Sequence, residues 1–244
     1  MQSDSNRVAT IAAGIMCKPP RPGLTKTRLG AVVGAQAAAR LSAAFLTDVA
    51  GEIERQHDAG VQGWGLYMPA DAEPEVRALL PASFQFAPQL GADFSSVVHR
   101  AIADLLQRHP CGAMLVNSDS PTLPGAVIGE AARHLRAPGD KLVIGPARDG
   151  GYYLIGLNRA HWPLFDGIPW STATVLRDTV ARAEALGLPV VRLPEWYDVD
   201  DAESLGWLRD ELANGQEGSA PGLLPGSARR TRAALSDLGL LGSS

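Results

Sequence analysis

Along the chain, apolar runs of strand length alternate with stretches whose apolar positions recur at helical spacing. Val8 to Met16 is the first β-rich run, and a loop of Pro, Gly and basic residues follows it as far as Gly30. Leu41, Phe45, Val49 and Ile53 then recur every four residues, which marks one face of a helix. Gly65 to Met68 predicts a short second strand, and Phe84 to Ala87 a third. The strongest helical stripe is Phe94, Val97, Val98, Ala101, Ile102, Leu105 and Leu106, with Asp93 placed to cap it. A strand over Ala113 to Asn117, a helix around Val127 to Leu135, a strand over Leu142 to Pro146 and an apolar segment over Gly151 to Leu157 follow. Val175, Leu176, Thr179, Val180, Ala183 and Leu186 predict a last clear helix, ended by Gly187 and Pro189.

Alternation of this kind implies a doubly wound α/β sheet with helices on both faces. Ligands of such sheets sit outside the carboxyl ends of the strands, so the informative residues are those just after each strand. Residues 1–212 are expected to form one domain, and 213–244 a Gly/Ser/Pro-rich linker and C-terminal tail. A short amphipathic helix fits Ala228 to Leu238; a frayed end is expected there in preference to a docked one.

Composition narrows the class. With 45% hydrophobic and 20% charged residues among 244, the chain has what a sizeable core needs. A net charge of −4 argues against nucleic acid as a partner. No run approaches the roughly 20 apolar residues of a membrane span. The N-terminal MQSDSNRVATIAAGIM reads as a first strand and not as a signal peptide. Cys17 and Cys111 form no CxxC, and a reduced, cytoplasmic protein is the expectation. His57, His99, His109, His134 and His161 are scattered, without the spacing of a zinc site.

The chemistry lies at the strand ends. After the first strand, Lys18, Arg21, Lys26 and Arg28 cluster with Gly23 and three prolines in CKPPRPGLTKTRLG, a plausible polyphosphate cradle that is neither GxxxxGK[ST] nor GxGxxG. After the central strand comes Asp119 in NSDSP, where turn chemistry is the competing explanation. Asp149 precedes the Gly150-Gly151 pair, which either lets the backbone approach a ligand or makes a tight hairpin. Asp198, Asp200 and Asp201 precede a helix, and Asp200 or Asp201 is expected to cap it. Carboxylates gathered with cations at one sheet edge suit Mg²⁺ or Mn²⁺, hard ions that bridge carboxylates to phosphates.

KPPRPGLTKTRL, NSDSPTLP, DGGYYLIGL, PWSTATVLRDT and DVDDAESL stand in the order found in the rSAM/selenodomain-associated transferases, which the chain resembles from about Val8 to Leu212. That group is similar to the GT-A nucleotide-diphospho-sugar transferases, and its first loop resembles that of the phospholactate guanylyltransferases. The resemblance implies a GT-A, Rossmann-like, three-layer αβα sandwich with a mostly parallel central sheet. It implies Asp119 and Asp200 as metal ligands, and Lys18, Lys26 and Arg28 as the phosphate-facing basic loop that also holds Gly23. Asp149, Gly150 and Gly151 would line the sugar or acceptor pocket. At QLGADFSSV the chain departs from the group's Gly-Asp-Leu-Gly pattern, and Asp93 keeps only a capping role.

The function expected is metal-dependent glycosyl transfer from a nucleotide-diphospho-sugar to a small-molecule acceptor, with Asp119 and Asp149 in the catalytic roles. Trp170 and Ser171 stand as acceptor-side residues, or as a packed ring beside a helix cap. Nucleotidyl transfer from a nucleoside triphosphate, with release of pyrophosphate, stays open, because four cations exceed what a diphosphate ester requires. A nucleotide sensor without turnover is a third reading, against which the pair Asp119 and Asp200 argues.

Overall fold

The run IAAGIMC (Ile11–Cys17) is apolar on both faces, and it forms the buried strand β1. A strand covered on both faces reads as a continuous apolar run, as parallel strands inside α/β proteins do. A computed structural model of the chain describes residues 9–214 and 222–241. After β1 come α1 (Thr27–Val33), α2 (Ala35–Glu54), β2 (Val61–Tyr67), α3 (Glu73–Arg77), β3 (Gln85–Pro88), α4 (Phe94–Arg108) and β4 (Ala113–Val116). The second half holds α5 (Gly125–Arg136), β5 (Leu142–Pro146), β6 (Tyr152–Leu157), α6 (Val175–Ala185), β7 (Val190–Arg192), α7 (Ala202–Asn214) and α8 (Arg229–Asp237).

The strands form one sheet in the order β3-β2-β1-β4-β6-β5-β7. All pairs are parallel except those of β6, which runs antiparallel between β4 and β5. Two cores flank the sheet. Leu41, Phe45 and Val49 of α2, Val127 and Ile128 of α5, Leu208 of α7 and Leu235 of α8 pack on one face. Val98, Ile102 and Leu105 of α4 and Val180 and Ala183 of α6 pack on the other. The sheet with helices on both faces expected from the alternation, and the three-layer αβα sandwich with a mostly parallel sheet that the resemblance implies, are therefore present.

Because α2 and α4 cover opposite faces, the winding reverses between β1 and β4, which are direct neighbours. A crevice opens at such a reversal, beyond the carboxyl ends of the two strands. The antiparallel β6 brings its amino end to the same edge, since Val116 pairs with Leu154 and Asn117 N–H donates to the Tyr153 carbonyl at 2.9 Å.

The expected helix caps are in part realised. Asp93 accepts the Ser96 N–H at 2.7 Å while Ser96 Oγ accepts the Asp93 N–H at 3.0 Å, a reciprocal box at the start of α4. Asp201, not Asp200, accepts the Ser204 N–H of α7, at 3.0 Å. Ser171 caps nothing; α6 begins later, after Thr174.

The frayed end expected over Ala228 to Leu238 is corrected. There α8 docks on α2, burying Ala228, Thr231 and Leu235 completely. Two acids of α2 receive it: Asp48 accepts the Arg230 and Thr231 N–H groups at 3.1 and 2.8 Å, and Glu52 accepts the Ser227 N–H at 3.2 Å. The two Asp48 bonds satisfy first-turn donors that no carbonyl of α8 itself could reach, and Glu52 holds the residue before the cap.

Candidate active site

Four segments meet at the carboxyl edge around a cleft of about 960 Å³: the loop after β1, the loop after β4, the turn before β6 and the segment after β7. The Val199 N–H donates to the Asp119 carbonyl at 2.9 Å, which ties the second and fourth together.

The centre of the cleft is a charge cluster. Lys26 Nζ lies 3.0 Å from Asp119 Oδ1 and 2.5 Å from Asp200 Oδ1, with its side chain only 5% exposed. Arg28 reaches the other oxygen of Asp200 at 2.9 Å. Lys26 begins α1 from the left-handed region, at φ 51° and ψ 48°, which turns its side chain out of the helical path. Burial works against its ammonium, but the charges of Asp119 and Asp200 outweigh it and hold the Lys26 pKa above the ordinary lysine value.

Asp198 completes the cluster, and sequence reasoning gave it no role. Its Oδ1 accepts from Asn117 Nδ2 at 2.7 Å and from Ser120 Oγ at 2.9 Å. Burial first, and then the negative charges of Asp119 and Asp149, push its pKa up from 3.8 to about 7. A signal was available in DVD: in extended chain alternate residues share a side, and Val199 is fully buried between the two acids.

The basic loop is less concentrated than expected. Arg21 pairs with Glu75, by two hydrogen bonds from Nε and Nη2. Lys18 lines the cleft, exposed, and makes no ion pair among the described residues. Gly23 and Gly150 are not among the residues lining the cleft. Gly23 turns the loop at φ 77°. Gly150, at φ 87°, lies so close to the next loop that a Cβ there would stand 2.2 Å from the Ala173 carbonyl oxygen, so the close approach is to the chain itself. Gly151 does line the cleft, and its N–H donates to Asp149 Oδ1 at 2.9 Å. Asp149 is exposed, also within the lining.

Among the described residues, no three His, Cys, Asp or Glu side chains already surround one point. The donor set nevertheless fits a hard divalent ion: Asp119 and Asp200 turn one oxygen each toward a single cationic atom, and Asp198 stands near enough to feel the charge of both. The cation between them is at present Lys26.

Residues 53–172 match the family model described as "Uncharacterized protein conserved in bacteria (DUF2064)". That span holds Asp119, Asp149, Gly150 and Gly151, and leaves out Lys26, Arg28 and Asp200. No curated protein matches the chain. Among solved structures, the chain is similar to a protein from Desulfovibrio desulfuricans G20 described as a candidate nucleotide-diphospho-sugar transferase. Identity is 29%, coverage is 95% of this chain and 97% of that one, and the TM-score is 0.79. Its fold is also similar to that of 4-diphosphocytidyl-2C-methyl-D-erythritol synthase from Anaerococcus prevotii DSM 20548, at 8% identity, a TM-score of 0.53 and coverage of 84% and 98%. Among the described residues, no helix is long and apolar enough to cross a membrane.

Proposed function

We propose that the protein is a glycosyltransferase that uses a nucleotide-diphospho-sugar, a divalent metal ion and a small-molecule acceptor. The observation that carries this reading is the convergence of Asp119 and Asp200 on one cationic atom at the winding reversal of the sheet. The likeness to the Desulfovibrio protein supports it, and so does the sequence resemblance to the rSAM/selenodomain-associated transferases.

Asp119 and Asp200 would hold Mg²⁺ or Mn²⁺, with Asp198 and Asn117 beside them. Bound there, the ion would supply positive charge against the leaving diphosphate. The chain's own residues do the rest. Lys18, Lys26 and Arg28 balance the remaining phosphate charge; Lys26 does so by exchanging its aspartates for phosphate oxygens. Asp149 accepts the proton of the acceptor hydroxyl as that oxygen bonds to the sugar carbon. The bond from that carbon to the diphosphate breaks, and the nucleoside diphosphate leaves with the bonding electron pair.

Nucleotidyl transfer remains the second reading, since Lys18 makes no ion pair among the described residues and Lys26 and Arg28 stand close by, at the N-cap and in the first turn of α1. The pairing of Arg21 with Glu75 reduces the excess of cations that favoured it. Calorimetric titration with Mg²⁺ and matched panels of sugar nucleotides and nucleoside triphosphates separates the two. The first reading expects a sugar nucleotide to bind more tightly, and Asp119→Asn to remove the metal dependence while leaving the protein folded. Tighter binding of a triphosphate, with pyrophosphate released, would replace it with the second.

A further inference from the structure

The charged cluster accounts for only part of the cleft lining. Much of the remainder is apolar, and unusually exposed: Leu24, Met68 and Phe94 are 71%, 37% and 49% exposed and all belong to it. Large apolar side chains gathered in a concave, solvent-open place mark a binding surface more often than scattered ones do.

Phe94 stands edge-to-face on Trp170, with ring centroids 4.8 Å apart and planes at 86°. Trp170 meets Tyr152 in the same manner at 6.3 Å. Trp170 is held in place from behind, its Nε1–H donating to Ser95 Oγ at 2.8 Å, and Ser95 Oγ–H donating to the Phe165 carbonyl at 2.7 Å. The indole has no second N–H, and Ser95 is buried. This aromatic pair therefore presents area without hydrogen-bonding capacity. A nucleobase edge or the hydroxyls of a sugar would lose water there and find no replacement.

The pair also adjoins the expected base. The loop that carries Trp170 packs on the turn that carries Asp149: Gly150 touches Ala173, and the Leu176 N–H donates to the Gly150 carbonyl at 2.9 Å. Asp149 Oδ1 is engaged by Gly151, while its other oxygen takes no hydrogen bond among the described residues.

We propose that Phe94 and Trp170 form the acceptor subsite, and that the acceptor is an alcohol carried on an apolar body, aliphatic or aromatic. The body lies on the ring pair and the hydroxyl faces Asp149. This inference rests on the transferase reading for its chemistry, but the subsite can be tested apart from it. The probes are 2-phenylethanol and, as the polar control, glycerol. Binding is measured by ligand-observed NMR on wild type, Phe94→Ser and Phe94→Leu, alongside Mg²⁺-dependent binding of the common nucleoside diphosphates.

Wild type should bind 2-phenylethanol and not glycerol. Phe94→Ser should weaken that binding about tenfold or more, the scale set by losing a buried aromatic face, and Phe94→Leu should restore most of it. Nucleoside diphosphate affinity should be equal in all three. Phe94 is the first residue of α4 and half exposed, so the melting temperature reports that each variant is folded. Equal affinity of wild type and Phe94→Ser for 2-phenylethanol, or glycerol binding as tightly, overturns the proposal. So does a parallel loss of nucleotide affinity in Phe94→Ser, which would give the ring pair to the base. If no nucleoside diphosphate binds wild type at all, the transferase reading fails, while the alcohol titration still decides the subsite.

Discussion

Lys26 sits in a loop of Pro, Gly and cations and would ordinarily be taken for a solvated side chain whose loss costs the fold little. Its burial between Asp119 and Asp200 changes that expectation. Lys26→Ala leaves two carboxylates facing each other beside Asp198, with Asp119 unpaired and Asp200 held only by the exposed Arg28. Both aspartates are about a third exposed, so the full cost of breaking a buried ion pair is discounted, to about 1–3 kcal/mol. The melting temperature should fall by several degrees in the absence of metal, and Mg²⁺ should recover part of the loss by replacing the ammonium. A variant as stable as wild type without metal would show that the pairing carries no weight. For the same reason Asp119→Asn is not expected to stabilise the metal-free protein, since Asp119 already has Lys26 as its partner.

Asp198 gives a pH dependence at the same scale. Its pKa is raised from 3.8 to about 7, so the folded protein holds this proton more tightly than the unfolded chain does. The resulting stabilisation is fully present below about pH 4 and is lost as pH rises through about 7. Asp198→Asn, which cannot titrate, should flatten this part of the profile of melting temperature between pH 4 and 7. An unchanged profile would mean that Asp198 ionises normally.

At the scale of elements, α8 is the part whose behaviour differs most from its composition. It follows a Gly/Ser/Pro-rich stretch, yet Leu235 is fully buried against α2 and the first turn is received by Asp48. Leu235→Ala should destabilise by about 2–5 kcal/mol, the range for a large-to-small change in a core. Chemical denaturation of that variant beside wild type measures it, and a change within error would return the helix to the status of a loose end. Gly150→Ala acts on another pair of elements. It combines a left-handed φ of 87° with a Cβ 2.2 Å from the Ala173 oxygen, so the loop carrying Trp170 must move away from the Asp149 turn. Melting temperature and 2-phenylethanol affinity should fall together.

For the whole molecule, the notable point is that one ligand would draw on segments far apart in sequence. Lys26, Asp119 and Asp200 come from three loops, after β1, β4 and β7. A nucleotide bound with Mg²⁺ should slow amide exchange in 18–28, 117–119 and 198–200 together, because local opening of any one would break the shared site. Protection confined to a single segment would argue for a loop that binds alone.

From the chain alone the layers, most of the strand-helix order and the edge at which polar residues gather are legible, but not the short α3 and β7, nor the start of α1. Apolar periodicity reports burial directly: the run Leu142–Pro146 coincides with β5, and Asp93 is legible as a cap because capping needs only three neighbouring positions. Asp119, Asp200, Lys26 and Arg28 were legible as a group, for turn-forming acids and cations after successive strands must share the carboxyl edge of a doubly wound sheet. Tertiary structure decided which of them touch. Only the fold sets Glu75 beside Arg21 and withdraws that cation from the loop, presses Gly150 onto Ala173, and brings the face of α2 bearing Asp48 and Glu52 under α8. Those outcomes depend on contacts between residues scores of positions apart, which periodicity and local propensity do not encode. The buried pairing of Lys26 is of the same kind: its charge was written in the chain, but its burial and its two carboxylate partners arose only when three loops closed around it.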